Sequence, residues 1–138
     1  QKRKTCCKIQ SKEYKLLADY LHNTKEGWKI DIDAIFKIKR EPDEKNFNKK
    51  VGNNMLLWHG SRIANFVGIL SQGLRIAPPE APVSGYLFGK GIYLADMIDK
   101  SAHYCRSYGS DTALCLLVEV AYLGYAGCDR HTKRSATV

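Results

Sequence analysis

The chain has no long apolar run. Its best one, Ala113 to Val118, is six residues, against the roughly 18–20 that a membrane-spanning helix needs. The opening residues, QKRKTCCKIQSKEYK, are basic and polar. They hold no apolar segment of the kind that defines a secretory signal. The first residue is Gln1 rather than methionine, which reads as part of a longer chain. An even cysteine framework is also missing. The five cysteines include an adjacent pair, Cys6 and Cys7, and two in apolar surroundings, Cys105 and Cys115. Free thiols in a reducing compartment are the expectation, not disulfide staples. One Cys-x-x-His spacing occurs, Cys128 to His131, with no second pair to complete a tetrahedral set, so no metal site is assigned. The glycines of GYLFGKG, Gly85 to Gly91, fit neither the phosphate-loop spacing nor GxGxxG. They read as tight bends or close backbone approaches.

Acidic residues are the scarcer charge, leaving a net +8. The excess lies at Lys2, Arg3, Lys4 and Lys8, at Arg130, Lys133 and Arg134, and in a central group from Lys37 to Lys50. Phe47 is the one aromatic residue among these lysines, so a stacking platform for single strands is not indicated. A solvated basic face is the default reading. An anionic partner, nucleic acid or polyphosphate, is the other.

The remaining pattern alternates helices with short strands. Tyr14, Leu17, Ala18 and Leu21 recur at helical spacing, with Ser11 as N-cap and Asn23 to Gly27 as the stop. Ile32, Ala34, Phe36 and Ile38 alternate with charged residues and predict a half-buried strand, broken at Glu41-Pro42-Asp43-Glu44. A short helix is expected within Asn46 to Lys50, then a buried strand from Met55 to Trp58. Ile63, Phe66, Val67, Leu70 and Leu74 mark a helical stripe closed by Gly73. Leu74 to Ile76 suggests a brief strand, and Pro78, Pro79 and Pro82 an extended connection. Asp96 or Asp99 would cap a helix running to about Ser107, and Leu114 to Val120 is a strongly apolar strand. From Gly124 the pattern dissolves. The class expected is α+β, in one domain.

The chemistry concentrates at LLWHGSR, Leu56 to Arg62. An apolar strand runs straight into an imidazole, a bare backbone and a hydroxyl. A Ser61 nucleophile with His59 as base is disfavoured, because no orienting acid lies nearby. The stretch gains meaning from three motifs downstream of it in the chain: GILSQGLRIAPPEAP, then GYLFGKGIYLAD, then KSAHYC.

Together these motifs resemble the catalytic domain of the poly(ADP-ribose) polymerases, diphtheria-toxin-like ADP-ribosyltransferases, above all the DNA-damage-responsive nuclear members. The resemblance is near-continuous from Ile30 to Gly124 and compatible from Ser11. It implies an ADP-ribosyltransferase fold of split antiparallel sheets with flanking helices. It implies NAD as substrate, nicotinamide as leaving group and protein acceptors such as chromatin proteins, with chain elongation to poly(ADP-ribose) as a further step. No metal, no membrane and a nuclear location go with it. DNA would be engaged only through modules outside this sequence.

Carried over residue by residue, the resemblance assigns catalytic positions to His59, Tyr93 and Lys100. His59 matches the histidine that bonds the adenosine-side ribose, Tyr93 the tyrosine packed against nicotinamide, and Lys100 a lysine beside the reacting ribose. Gly60 matches the backbone that reads the carboxamide, Ser101 the hydroxyl that reads it, and Tyr104 the stacking ring. Ser61 and Arg75 fall on the adenosine and diphosphate side, and Tyr86 lines the pocket. Trp58 reads as core. Two departures are visible: Leu94 where relatives carry phenylalanine, and His103 where they carry asparagine.

The family's catalytic glutamate belongs well downstream of Tyr93. The tail GYAGCDRHTKRSATV contains none. Glu119 matches a structural strand residue, and Glu80 lies in the proline-rich loop. The expectation is therefore a partial catalytic domain over 1–138, with 1–10 a basic lead-in and 125–138 a divergent tail. C-terminal strands would be missing, leaving open sheet edges and low stability. Two alternatives accompany it: a catalytically inactive paralogue acting as an NAD-pocket or interaction module, and a basic nucleic-acid-binding domain.

Overall fold

The computed structural model describes residues 2–27, 29–80, 89–105, 109–121 and 135–137, with backbone alone at 2–5 and 135–137. Strand β1 (Lys2–Cys6) leads into helix α1 (Lys12–Asn23). Ser11 caps α1 as expected, its Oγ accepting from the Tyr14 amide at 3.1 Å. That bond satisfies one of the amides a helix start leaves orphaned. The helix stops at Thr24, whose Oγ1 donates to the Tyr20 carbonyl at 2.9 Å.

Strand β2 (Phe36–Arg40) is shorter than the alternation predicted, and it is not half-buried. It pairs antiparallel with β1, Cys6 opposite Phe36 and Lys2 opposite Arg40. Phe36 is 56% exposed and Ile38 37%. Alternation marks a strand, but burial needs a second layer, and none lies over that face of this two-stranded ribbon among the described residues. The basic lead-in is thus a strand. Glu41-Pro42-Asp43-Glu44 ends β2 as expected and also opens α2 (Glu41–Asn46), where proline suits a first turn that has no intrahelical donor to lose. A 3-10 turn, Lys49–Val51, follows.

Strand β3 (Asn54–Gly60) runs two residues beyond the predicted end and so carries His59 and Gly60 within it. Helix α3 (Ile63–Gln72) ends at Gly73, whose φ of 86° suits glycine. Of the predicted stripe only Phe66 is buried, while Ile63 is 67% and Val67 78% exposed. Leu74 to Ile76 forms no strand; Leu74 packs as a loop residue against the core instead. Strand β4 (Tyr93–Ala95) and helix α4 (Ile98–Cys105) come next. Asp99 lies inside the first turn of α4 rather than capping it. Strand β5 (Cys115–Ala121) follows, then β6 (Ser135–Thr137). That last strand falls in the tail where the sequence pattern had dissolved.

The main sheet has the order β5-β3-β4-β6, antiparallel at each pairing. Strand β3 is central, which explains its unbroken apolar run: Leu57 is 2% and Trp58 6% exposed, on opposite faces. On one face Trp58 packs with Leu21 of α1 and Ile98 of α4. The Trp58 indole N–H donates to Thr24 Oγ1 at 3.0 Å, and its ring meets Tyr20 at 5.8 Å between centroids. On the other face Leu57, Leu94 and Val120 pack together, with Leu74 and Ile92 against them. Leu94, one of the two departures, is 3% exposed and so fills core rather than the site. No helix among the described residues is long and apolar enough to cross a membrane.

Candidate functional site

The end of β3 gathers the predicted residues. His59 lies between β4 and β5. Its ring Nδ1 is 2.9 Å from the Tyr93 carbonyl. A carbonyl only accepts, so Nδ1 carries the proton and donates. Nε2 of the neutral ring is then an acceptor for a hydroxyl. The Tyr93 hydroxyl donates to the Gly89 carbonyl at 2.7 Å. That bond ties β4 to the glycine-rich bend before it, where Gly89 has a φ of 82°.

Gly60 is fixed by sterics. A Cβ there would fall 1.7 Å from the Ser101 carbonyl oxygen and 2.6 Å from its carbon. Helix α4 crosses β3 so closely that no side chain fits. The missing side chain is therefore required by helix packing as well as by any approaching ligand. Ser101 is 5% exposed, and its Oγ donates to the Trp58 carbonyl at 3.0 Å. With its one proton committed, that hydroxyl faces any further partner as an acceptor.

Gly60, Ser61, Arg62, Asn65 and Tyr104 line an open cleft of about 200 Å³. Tyr104, at 64% exposure, offers its ring to that cleft rather than to the core. A second groove of about 380 Å³ runs along α3, lined by Ala64, Asn65, Gly68, Ile69, Gln72, Gly73 and Arg75. Asn65 belongs to both, and its amide donates to Ser61 Oγ at 3.0 Å. Sequence reasoning missed Asn65. Its signal was the i, i+4 spacing to Ser61 around the start of α3. Arg75 closes the far end of the groove, donating to Gln72 Oε1 at 2.6 Å.

The site residues thus fall into two groups. His59, Gly60, Tyr93 and Ser101 meet where β3, β4 and α4 join. Ser61 and Tyr104 share the cleft with Gly60, whereas Arg75 stands apart in the second groove. Lys100 is partly buried on α4, next to Ser101. Tyr86 lies outside the described residues. Glu119 sits opposite Leu56, toward the other end of the ladder from the Gly60–Cys115 pair. At about 3.3 Å per residue that is roughly 13 Å away. Its carboxylate accepts from Asn54 Nδ2 at 2.9 Å, a sheet-end bond remote from the cleft. No cluster of three or more His, Cys, Asp or Glu able to hold a metal occurs among the described residues.

The family model described as the poly(ADP-ribose) polymerase catalytic domain matches residues 11–128. The chain belongs to that family. The match covers α1 through β5 and so includes every strand and helix at the cleft. A poly [ADP-ribose] polymerase 2 of Zea mays is 52% identical over 124 residues, 85% of this chain and 19% of that protein. A poly [ADP-ribose] polymerase 1 of Xenopus laevis is 51% identical over 131 residues, 88% of this chain and 13% of that protein. A poly [ADP-ribose] polymerase of Drosophila melanogaster is 52% identical over 118 residues, 80% of this chain and 12% of that protein. The chain spans a fifth or less of the length of these relatives. Two antiparallel sheets with flanking helices agree with the α+β class of the family.

Proposed function

We propose that this chain supplies the NAD-reading part of an ADP-ribosyltransferase. The protein it serves would transfer ADP-ribose from NAD to protein acceptors, releasing nicotinamide, and extend it into poly(ADP-ribose). Family membership supports the reaction class. The observation that carries the assignment of the site is local: an exposed Tyr104 ring, the bare Gly60 backbone and a His59 of fixed tautomer stand together at the end of one strand.

The two clefts suit a two-part ligand. Together they fall in the roughly 300–1,000 Å³ range of small-molecule sites. NAD would supply a cleavable bond between nicotinamide and ribose. Tyr104 would stack on the flat ring, an offset contact worth about 0.5–1.5 kcal/mol beyond burial. Gly60 would offer backbone N–H and C=O to the carboxamide, and Ser101 Oγ would accept from its amide. His59 Nε2 would accept from a ribose hydroxyl, held in aim by the Tyr93 carbonyl. Ser61 and Arg75 would take the adenosine and diphosphate side, Arg75 as the cation. Lys100 is proposed beside the reacting ribose, and Tyr86 as a further wall. Residues 1–138 are proposed as one partial catalytic domain with its basic lead-in folded as β1. Chromatin acceptors, a nuclear setting and DNA engagement through other modules belong to the same proposal.

Adenylate-labelled NAD incubated with the full-length protein tests it. Labelled protein and free nicotinamide are expected, both falling strongly in Tyr104→Ala and His59→Ala. A folded protein that neither releases nicotinamide nor acquires label overturns the reading.

A further inference from the structure

Behind the cleft two thiols share one small space. Cys105 closes α4 and Cys115 opens β5. Cys115 stands directly opposite Gly60 in the β3–β5 ladder. Residues so paired face the same side of a sheet, with Cβ positions roughly 4.5–5.5 Å apart. A Cβ on Gly60 would lie 3.2 Å from Cys105 Sγ. The absent side chain of Gly60 therefore marks the gap that both sulfurs border. Their backbone partners agree. Cys105 Sγ lies 3.2 Å from the carbonyl oxygen of Leu114, the residue before Cys115. Cys115 Sγ lies 3.4 Å from the carbonyl oxygen of His59, the residue before Gly60.

The two thiols also shift each other's ionisation in opposite directions. Hydrogen bonding from the Cys115 thiol, helped by the Ser61 backbone and opposed by burial, brings Cys105 down to about 7. The same bond together with burial pushes Cys115 up. Cys105 is thus the thiol of the two that gives up its proton first and the better nucleophile near neutral pH. Cys105 is 6% exposed, but it lies against Gly60, a lining residue of the cleft, which gives a small oxidant a route.

We propose that Cys105 and Cys115 form a reversible dithiol site that a hydroperoxide oxidises to an intrachain disulfide. The Cys105 thiolate attacks the terminal peroxide oxygen. The O–O bond breaks, an S–O bond forms, and the leaving alkoxide or hydroxide takes a proton. Cys115 sulfur then attacks Cys105 sulfur. The S–S bond forms as the S–O bond breaks, and the Cys115 proton leaves with that oxygen as water. The net change is two thiols and one hydroperoxide to one disulfide, one alcohol or water, and one water. Two electrons pass from sulfur to peroxide.

Closing the bond pins the end of α4 to the start of β5, since a disulfide holds its Cβ atoms about 3.8 Å apart. Ser101 and Tyr104 ride on that helix. The consequence for the cleft, a several-fold loss of nicotinamide affinity, rests on the function proposed above. The disulfide itself does not.

The test treats the full chain with about one equivalent of hydrogen peroxide at neutral pH, blocks free thiols by alkylation, and maps disulfides by mass spectrometry without reductant. A Cys105–Cys115 link that dithiothreitol reverses is expected. It should persist when Cys6, Cys7 and Cys128 are all replaced by serine. Cys115→Val should stop at a sulfenic acid on Cys105 that dimedone traps. Alkylation of both cysteines as free thiols after peroxide, or linkage of either one to a different cysteine, overturns the proposal. The wild-type map decides this however well the valine variant folds. A mapped disulfide with unchanged nicotinamide affinity overturns only the coupling to the cleft.

Discussion

At the residue scale the site rests on groups whose roles are set by what they touch. Gly60 is the sharpest case. Gly60→Ala places a methyl 1.7 Å from the Ser101 carbonyl, so α4 must move off β3. Overpacking of that kind costs about 1–3 kcal/mol or more, and a fall of at least that size in unfolding free energy from urea titration is expected. Tyr104→Ala should behave oppositely. The side chain is 64% exposed, so the melting temperature should hold. Nicotinamide affinity should fall about 2- to 13-fold, the equivalent of 0.5–1.5 kcal/mol, read by calorimetric titration. Cys105 gives a third test. Its alkylation rate should rise through a midpoint near 7 rather than near the ordinary thiol value of about 8.5. The linkage to stability has a definite sign. Between about 7 and 8.5 the folded pair has released one proton and the unfolded chain still holds both, so stability rises with pH. Above that range the unfolded chain releases both while raised Cys115 keeps its own, so stability falls. Urea midpoints should show this maximum in the wild type and lose it in Cys105→Ala.

At the element scale the division between what sequence revealed and what it hid follows the range of the interactions. Helix α1 was legible because its cap is local: Ser11 and Tyr14 are three residues apart. Ser11→Ala should cost about 1 kcal/mol, measurable as a shift in the urea midpoint. Strand β3 was legible as apolar, but its extension through His59 and Gly60 depends on pairing with β5 more than fifty residues later. The half-buried reading of Phe36 and Ile38 failed for a related reason. Alternation gives the face of a strand, whereas its burial depends on a distant layer. The stripe on α3 overreached in the same way, with Ile63 and Val67 left exposed. Glu41 to Glu44 was legible as the end of β2, but not as the start of α2, because proline marks both ends of structure and starts of helices. The family resemblance named nine site residues from ordered motifs. It offered no sign of Asn65 linking two grooves, or of Cys105 meeting Cys115, because those depend on how α3, α4 and β5 sit around one glycine.

At the scale of the whole molecule the charge pattern bears on the competing nucleic-acid reading. The central basic group is laced with carboxylates. Lys37 pairs with Glu13 at 2.7 Å, Lys39 with Glu44 at 3.5 Å, Arg40 with Asp43 at 2.6 Å and Lys45 with Glu41 at 2.7 Å. Exposed pairs add little stability, but they offset the positive field that a polyanion would need. The Arg40 pair does more: its guanidinium is 9% exposed and also donates to the Ser71 carbonyl at 3.3 Å, tying β2 to the end of α3. That link braces the helix that forms the second groove. The central basic group is therefore largely neutralised where it stands, and the proposed site lies elsewhere, at the end of the central strand of an α+β scaffold.

The most direct test of a nicotinamide site at the end of β3 is a nicotinamide titration of the full chain followed by backbone and aromatic NMR. Saturable shifts centred on Gly60, Ser61, Ser101 and the Tyr104 ring are expected, with little change along β1 and β2. Shifts confined to other surfaces, or none at saturating nicotinamide, would contradict it.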